Sequence, residues 1–152
     1  MSFAPSLPPR LLALVLAVAV ASAAAAESRR TVAGPVRAHL VRVVDGDTIE
    51  VLARIWPDHY VETLVRLAGI DAPELRGRCA HEFALAERAK ARLAALLAGN
   101  RLELTGVHYG KFAGRVVARV LTEDGRDVAK VLLDEKLARP YAGGRRAAWC
   151  PD

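Results

Sequence analysis

Polar and apolar residues alternate along three successive stretches, with β-branched side chains common at the apolar positions. His39–Val44 reads as a strand, Thr48–Ile55 as the strand that returns from it, and Tyr60–Ala68 as a third. Asp45-Gly46-Asp47 separates the first two; glycine accepts positive φ and aspartate bonds its own backbone, so a tight turn is expected. Trp56-Pro57-Asp58-His59 makes the second turn. The period then lengthens. Phe83, Ala86, Ala89, Leu93, Leu96 and Leu97 recur at helical spacing, which predicts an amphipathic helix over His81–Ala98 that Gly99-Asn100 stops. Arg101–Thr105 and Arg115–Leu121 read as two further strands around a glycine-rich loop at 106–114. Asp127 is placed to cap a short helix reaching about Glu135, and Pro140 stops anything longer. Five strands with a helix between the third and fourth predict a mainly β, α+β domain. The plan is that of an OB-fold, a five-stranded Greek-key barrel, with two to three helices.

The first 26 residues do not belong to that pattern. Arg10 precedes an unbroken apolar run over Leu11–Ala21, and Ala21-Ser22-Ala23-Ala24-Ala25-Ala26 offers Ala-x-Ala cleavage sites before Glu27. This is the layout of a secretory signal peptide. An uncleaved membrane anchor is the alternative, but the apolar run is shorter than the ~20 residues needed to span a bilayer. The expected organisation is a leader over 1–26, a lead-in over 27–35 and one domain over 36–152, secreted or periplasmic. After cleavage no stable membrane association is expected, and a monomer is the default.

Composition adds two points. The chain of 152 residues carries a formal net charge of +5, which favours an anionic partner without specifying one. It has two cysteines, Cys79 and Cys150, which suit a single disulfide in an oxidising compartment. Two free thiols, one of them catalytic, are the alternative, and no credible His and Asn arrangement accompanies them.

The chemistry concentrates in two stretches. Val43-Val44-Asp45-Gly46-Asp47-Thr48-Ile49-Glu50-Val51 carries Asp47, and Arg66-Leu67-Ala68-Gly69-Ile70-Asp71-Ala72-Pro73-Glu74 carries one arginine and two acids. Charged groups gathered at the ends of apolar strands repel or lose solvation unless they bind something. A divalent cation beside a phosphate satisfies them all. Two aspartates with a carbonyl near Ala72 suit a hard cation such as Ca²⁺, and the guanidinium of Arg66 suits bidentate phosphate binding. Glu74 is placed to orient or deprotonate a water, and Arg115 to add positive charge to a pentavalent transition state. An EF-hand is excluded, because the fifth and twelfth positions counted from Asp45 are Ile49 and Trp56. His39, His59, His81 and His108 show no zinc-ligand spacing.

Those two stretches, followed by Lys111-Phe112-Ala113-Gly114-Arg115 before a strand, resemble the thermonuclease (staphylococcal nuclease-like) family over roughly Val36 to Tyr141. The resemblance implies an OB-fold barrel and a Ca²⁺-dependent phosphodiesterase acting on DNA and RNA by in-line attack of water, leaving 3′-phosphate ends. By position it implies Asp47, Asp71 and the Ala72 carbonyl as calcium ligands, and Arg66 and Arg115 as the phosphate-binding pair. Glu74 then activates water. Lys111, Phe112 and, one place out of register, Tyr141 take the nucleotide-contacting positions. Ala113 is an extra residue in its turn, Gly110 replaces an aspartate, and Lys136 stands where a glycine commonly ends the last helix. A non-catalytic OB-fold that binds nucleic acid is the rival expectation. A domain holding structural calcium for a protein partner is a third. Only 5% of residues are aromatic, few for a stacking platform.

Overall fold

The computed structural model describes residues 31–111 and 114–150; the leader and Phe112 lie outside the described residues. The strands are β1 (Thr31–Val32), β2 (Val36–Val43), β3 (Thr48–Trp56), β4 (His59–Leu67), β5 (Ile70–Asp71), β6 (Arg101–Tyr109), β7 (Arg115–Thr122) and β8 (Arg139–Pro140). The helices are α1 (Ala80–Leu96) and α2 (Val128–Asp134).

β2, β3 and β4 form the antiparallel meander. β4 then pairs in parallel with β7, β7 with β6, and β6 returns to β2, so five strands close on themselves. This is the mixed, closed barrel of an OB-fold, mainly β, α+β, with two helices among the described residues. Closure removes the open sheet edges at which a meander would otherwise aggregate. Ile49, Val51, Val65, Leu67, Leu104 and Val120 fill the interior, and Leu93 of α1 and Leu132 of α2 complete it from outside.

Three differences from the expected elements have physical causes. β6 runs to Tyr109 where a loop was expected. The β6–β7 ladder shifts register between Thr105 and His108, which absorbs Gly106 at positive φ and lets pairing resume. The lead-in also contributes, since β1 pairs with the extension through Thr31–His108 and Val32–Val107. Phe83 does not face the core. It is 51% exposed, and the buried stripe of α1 is Glu82, Ala86, Ala89, Leu93 and Leu96, one position around the helix at its first turn. Asp127 caps α2 as expected, accepting from the Lys130 N–H. Lys136 ends that helix at φ 57°, a left-handed conformation that costs a side-chain-bearing residue about 1 kcal/mol relative to glycine.

Cys79, the residue before α1, is disulfide-bonded to Cys150, with Cα atoms 6.0 Å apart. The bond settles the pairing and returns the C-terminus to the start of α1. Between them, β8 pairs with β5 (Ile70–Pro140, Asp71–Arg139) and the remaining strap folds back over the same end of the barrel. Arg139 anchors that strap. Its guanidinium stacks 3.8 Å from the Trp149 ring and donates to the Ala148 carbonyl, while Trp149 is buried. Closing a loop of 71 residues stabilises by about 4 kcal/mol in the chain-entropy model. Reduction with a strong thiol reductant is therefore expected to lower unfolding free energy by up to about that amount while the far-ultraviolet spectrum stays that of a folded barrel. Equal urea midpoints for oxidised and reduced protein would show that the bond contributes nothing.

Candidate active site

The turn between β2 and β3 is built to aim Asp47. Asp45 Oδ1 accepts from the Asp47 N–H at 3.0 Å, an Asx turn, and the Asp47 carbonyl accepts from the Leu67 N–H at 2.8 Å. Gly46 is not at positive φ, contrary to the sequence expectation. Glycine is required there by contact: a Cβ would lie 2.8 Å from the Cβ atoms of both Ala72 and Ala89. The turn is thereby pressed between α1 and the segment after β5, and Asp47 is 4% exposed.

Arg66 sits opposite Thr48 in the β3–β4 ladder, one residue from Asp47. Its Nη1 donates to Asp47 Oδ1 at 2.8 Å, and its Nη2 lies 3.3 Å from Asp71 Oδ1 and also donates to the Ile70 carbonyl. Asp71, the last residue of β5, is 5% exposed. The buried Ala72 N–H donates to Asp47 Oδ2 and the Thr48 hydroxyl to Oδ1. Burial nonetheless pushes the Asp47 carboxyl up from the usual 3.8 to about 6. Asp45 adds to the rise, and Arg66, Ala72 and Thr48 oppose it.

The third acid arrives by a route the sequence did not reveal. Arg146, in the C-terminal strap, reaches Asp71 Oδ1 with its Nε at 2.9 Å and pairs with Glu74 through Nη1. Burial lowers the affinity of that guanidinium for its proton, but Glu74 and Asp71 more than offset it and hold it above the ordinary range. Asp47, Arg66, Asp71, Arg146 and Glu74 thus form one alternating chain of charge. The acids are bridged by arginines rather than packed against each other. No local pattern singles out Arg146, which follows Gly143-Gly144-Arg145 outside any periodic stretch. The signal was Trp149-Cys150, an apolar anchor and a cysteine that bring the segment home.

The other expected residues divide. Arg115 pairs in register with Leu64, and Val117 with Arg66, so both arginines lie on one face of neighbouring parallel strands, two residues apart along them. Tyr141 joins the site: its ring centroid is 6.0 Å from the Arg66 guanidinium, its N–H donates to the Gly69 carbonyl and its hydroxyl to the Gly144 carbonyl. It braces the strap and β5 beside Arg66. Lys111 is exposed in the β6–β7 connection. Glu82, unassigned from sequence, is buried and accepts from the Glu74 and Arg78 N–H groups, fixing the loop that carries Glu74. A Cβ at Gly77 would fall 2.5 Å from that carboxylate carbon.

The donor set fits a hard divalent cation. Asp47 and Asp71 offer buried carboxylate oxygens beside a chain turn, the hard oxygen donors that such a cation takes. Cys79, Glu82 and Cys150 also lie within 4.8 Å of one another, but both sulfurs are committed to the disulfide and are not thiolate ligands.

The acid–arginine chain thus sits at one end of a closed OB barrel. The sequence model of the staphylococcal nuclease homologue family matches residues 64–148, more than half of the chain, and the protein belongs to that family. The match takes in Arg66, Asp71, Glu74, Arg115, Tyr141 and Arg146; Asp47 precedes it and joins the site through its ion pair with Arg66. No curated protein matches the chain.

A pH prediction follows from Asp47. Its folded pKa is raised, so the fold keeps a proton that the unfolded chain has lost between about pH 4 and 6. Stability from this group falls as pH rises through that window and is level above it. With chelator present, wild type should lose on the order of 3 kcal/mol relative to Asp47→Asn between pH 4 and 7, by urea unfolding. Parallel pH profiles for the two proteins would refute the shift.

Proposed function

We propose that the protein is an exported, Ca²⁺-dependent phosphodiesterase that hydrolyses DNA and RNA by in-line attack of water and leaves 3′-phosphate ends. The alternating chain Asp47–Arg66–Asp71–Arg146–Glu74 carries this reading, since it brings three carboxylates and two guanidiniums together at one barrel end. Export is supported by the Cys79–Cys150 disulfide, a bond that persists in oxidising compartments.

Asp47, Asp71 and the Ala72 carbonyl would hold the cation, which when bound neutralises charge on a phosphoryl oxygen. Arg66 and Arg115, on one face of adjacent strands, grip the phosphate and stabilise its added charge. Glu74 takes a proton from the attacking water as the water oxygen bonds to phosphorus and the bond to the 5′ oxygen breaks, the departing 5′ oxygen taking a proton from solvent. The Glu74 side chain is 52% exposed, so its pair with Arg146 opens at small cost when substrate enters. Arg146, once turned from Glu74, is left beside the same phosphate.

In an oligonucleotide cleavage assay, chelator should abolish turnover. Glu74→Gln and Arg115→Ala should each lower kcat by roughly a hundredfold or more while the barrel stays folded. Near-normal rates in either variant would reject its role. Arg146→Ala removes a guanidinium that competes for Asp71 and Glu74, so calorimetric titration should show Ca²⁺ binding roughly two- to fivefold tighter at low salt. Unchanged or weaker binding would mean that Arg146 does not oppose the cation.

The engagement of Glu74 by Arg146 favours one other reading, a non-catalytic OB-fold that binds nucleic acid. Oligonucleotide binding without hydrolysis in excess Ca²⁺ would establish it.

A further inference from the structure

Beside the acid–arginine chain lies a cleft of about 930 Å³, walled on one side by the loop after β5 and on the other by the C-terminal strap. Its acids are all engaged from within. Asp71 is held by Arg66 and Arg146, Glu74 by Arg146, and Glu82 by two backbone N–H groups. Three arginines that line it are different. Arg76 and Arg78 on the loop wall and Arg145 on the strap wall are exposed, and none has a carboxylate partner among the described residues. Elsewhere Arg42, Arg92, Arg101, Arg119 and Arg126 each face an acid, while Arg37, Arg54 and Arg88, also outside any ion pair among the described residues, lie off this cleft; what distinguishes Arg76, Arg78 and Arg145 is their place on its two walls.

We propose that this cleft is a binding tract for the phosphodiester backbone flanking the bond that is cut, with Arg76, Arg78 and Arg145 contacting its phosphates. The inference rests on the nuclease reading and extends it to a second site. Unpaired, exposed guanidiniums on both walls suit a ligand carrying negative charge at repeated intervals. The cleft opens onto Asp71, Glu74 and Arg146, so a strand whose reactive phosphate sits there continues between the walls. Both walls are pre-set. Glu82 pins the loop at the N–H groups of Glu74 and Arg78, the disulfide joins residues 79 and 150 across the far end, and Arg139 holds the strap at Ala148. Little ordering is needed when a strand enters, which favours binding.

The test uses oxidised protein in chelator, where nothing is cut, and fluorescence anisotropy of a labelled single-stranded DNA octamer. Arg76→Ala/Arg78→Ala/Arg145→Ala is compared with wild type and with Arg37→Ala/Arg54→Ala/Arg88→Ala, which removes equal charge outside the cleft. The cleft variant should bind roughly tenfold or more weakly, and its log–log salt slope should shrink by about 2, the contribution of three single-strand phosphate contacts. A dinucleotide should bind both variants as it binds wild type. An unchanged octamer slope in the cleft variant, an equal loss in the control variant, or displacement of the octamer by polyglutamate at matched charge would each overturn the proposal. The two readings fail separately. Arginine-dependent octamer binding without cleavage in Ca²⁺ would end the nuclease reading and leave the tract standing. Cleavage by wild type with undiminished octamer binding by the cleft variant would do the reverse.

Discussion

The guanidinium of Arg66, held between Asp47 and Asp71, is the contact on which the functional end of the barrel depends. Two carboxylates, each at most 5% exposed, cannot share that region ionised without a cation between them. Arg66 supplies it while remaining a β4 residue whose neighbours Val65 and Leu67 point into the core. One side chain thus ties the β2–β3 turn to β5, and the turn in turn is locked by the close approach of Gly46 to Ala72 and Ala89. Removing one partner of so buried a pair leaves an uncompensated charge, which costs far more than the pair itself contributes.

The barrel serves this contact by closure. Pairing β7 in parallel with β4 places Arg115 on the face that Arg66 occupies, although 49 residues separate them in sequence. A meander alone would have left that flank empty. The helices act at one remove: α1 backs the Asp47 turn through Ala89 and fixes the Glu74 loop through Glu82, a buried acid whose oxygens go to backbone N–H groups.

How much of this was legible in the sequence depended on whether a signal was local. The meander strands and both helices were readable because period-2 and period-3.6 patterns are written in neighbouring residues, and their ends fell within a few positions. Phe83 misled because an aromatic three residues before Ala86 fits the buried stripe by spacing, while the true occupant, Glu82, is a charged residue that only tertiary hydrogen bonds make affordable. The end of β6 was hidden because Gly106 and Gly110 signal a loop, and a bulge that restores pairing leaves no mark of its own. Asp47, Arg66, Asp71, Glu74 and Arg115 stand out through motif order, not through any one residue's surroundings. Arg146 escaped because its partners lie about 70 residues upstream and a glycine–arginine tail ordinarily belongs to solvent.

The disulfide divides the molecule into two regimes. Ile49, Val65, Leu104 and Val120 hold their places by burial, which no change of redox surroundings touches. The strap that carries Arg145 and Arg146 is also cross-linked at Cys150, so one of its fastenings answers to the electron donors around the protein. In a reducing interior the barrel can be complete while the wall beside Glu74 is held by Arg139, Trp149 and the Arg146 ion pairs without its covalent tie. Two bonded sulfur atoms therefore mark the boundary between what packing dictates and what the compartment decides.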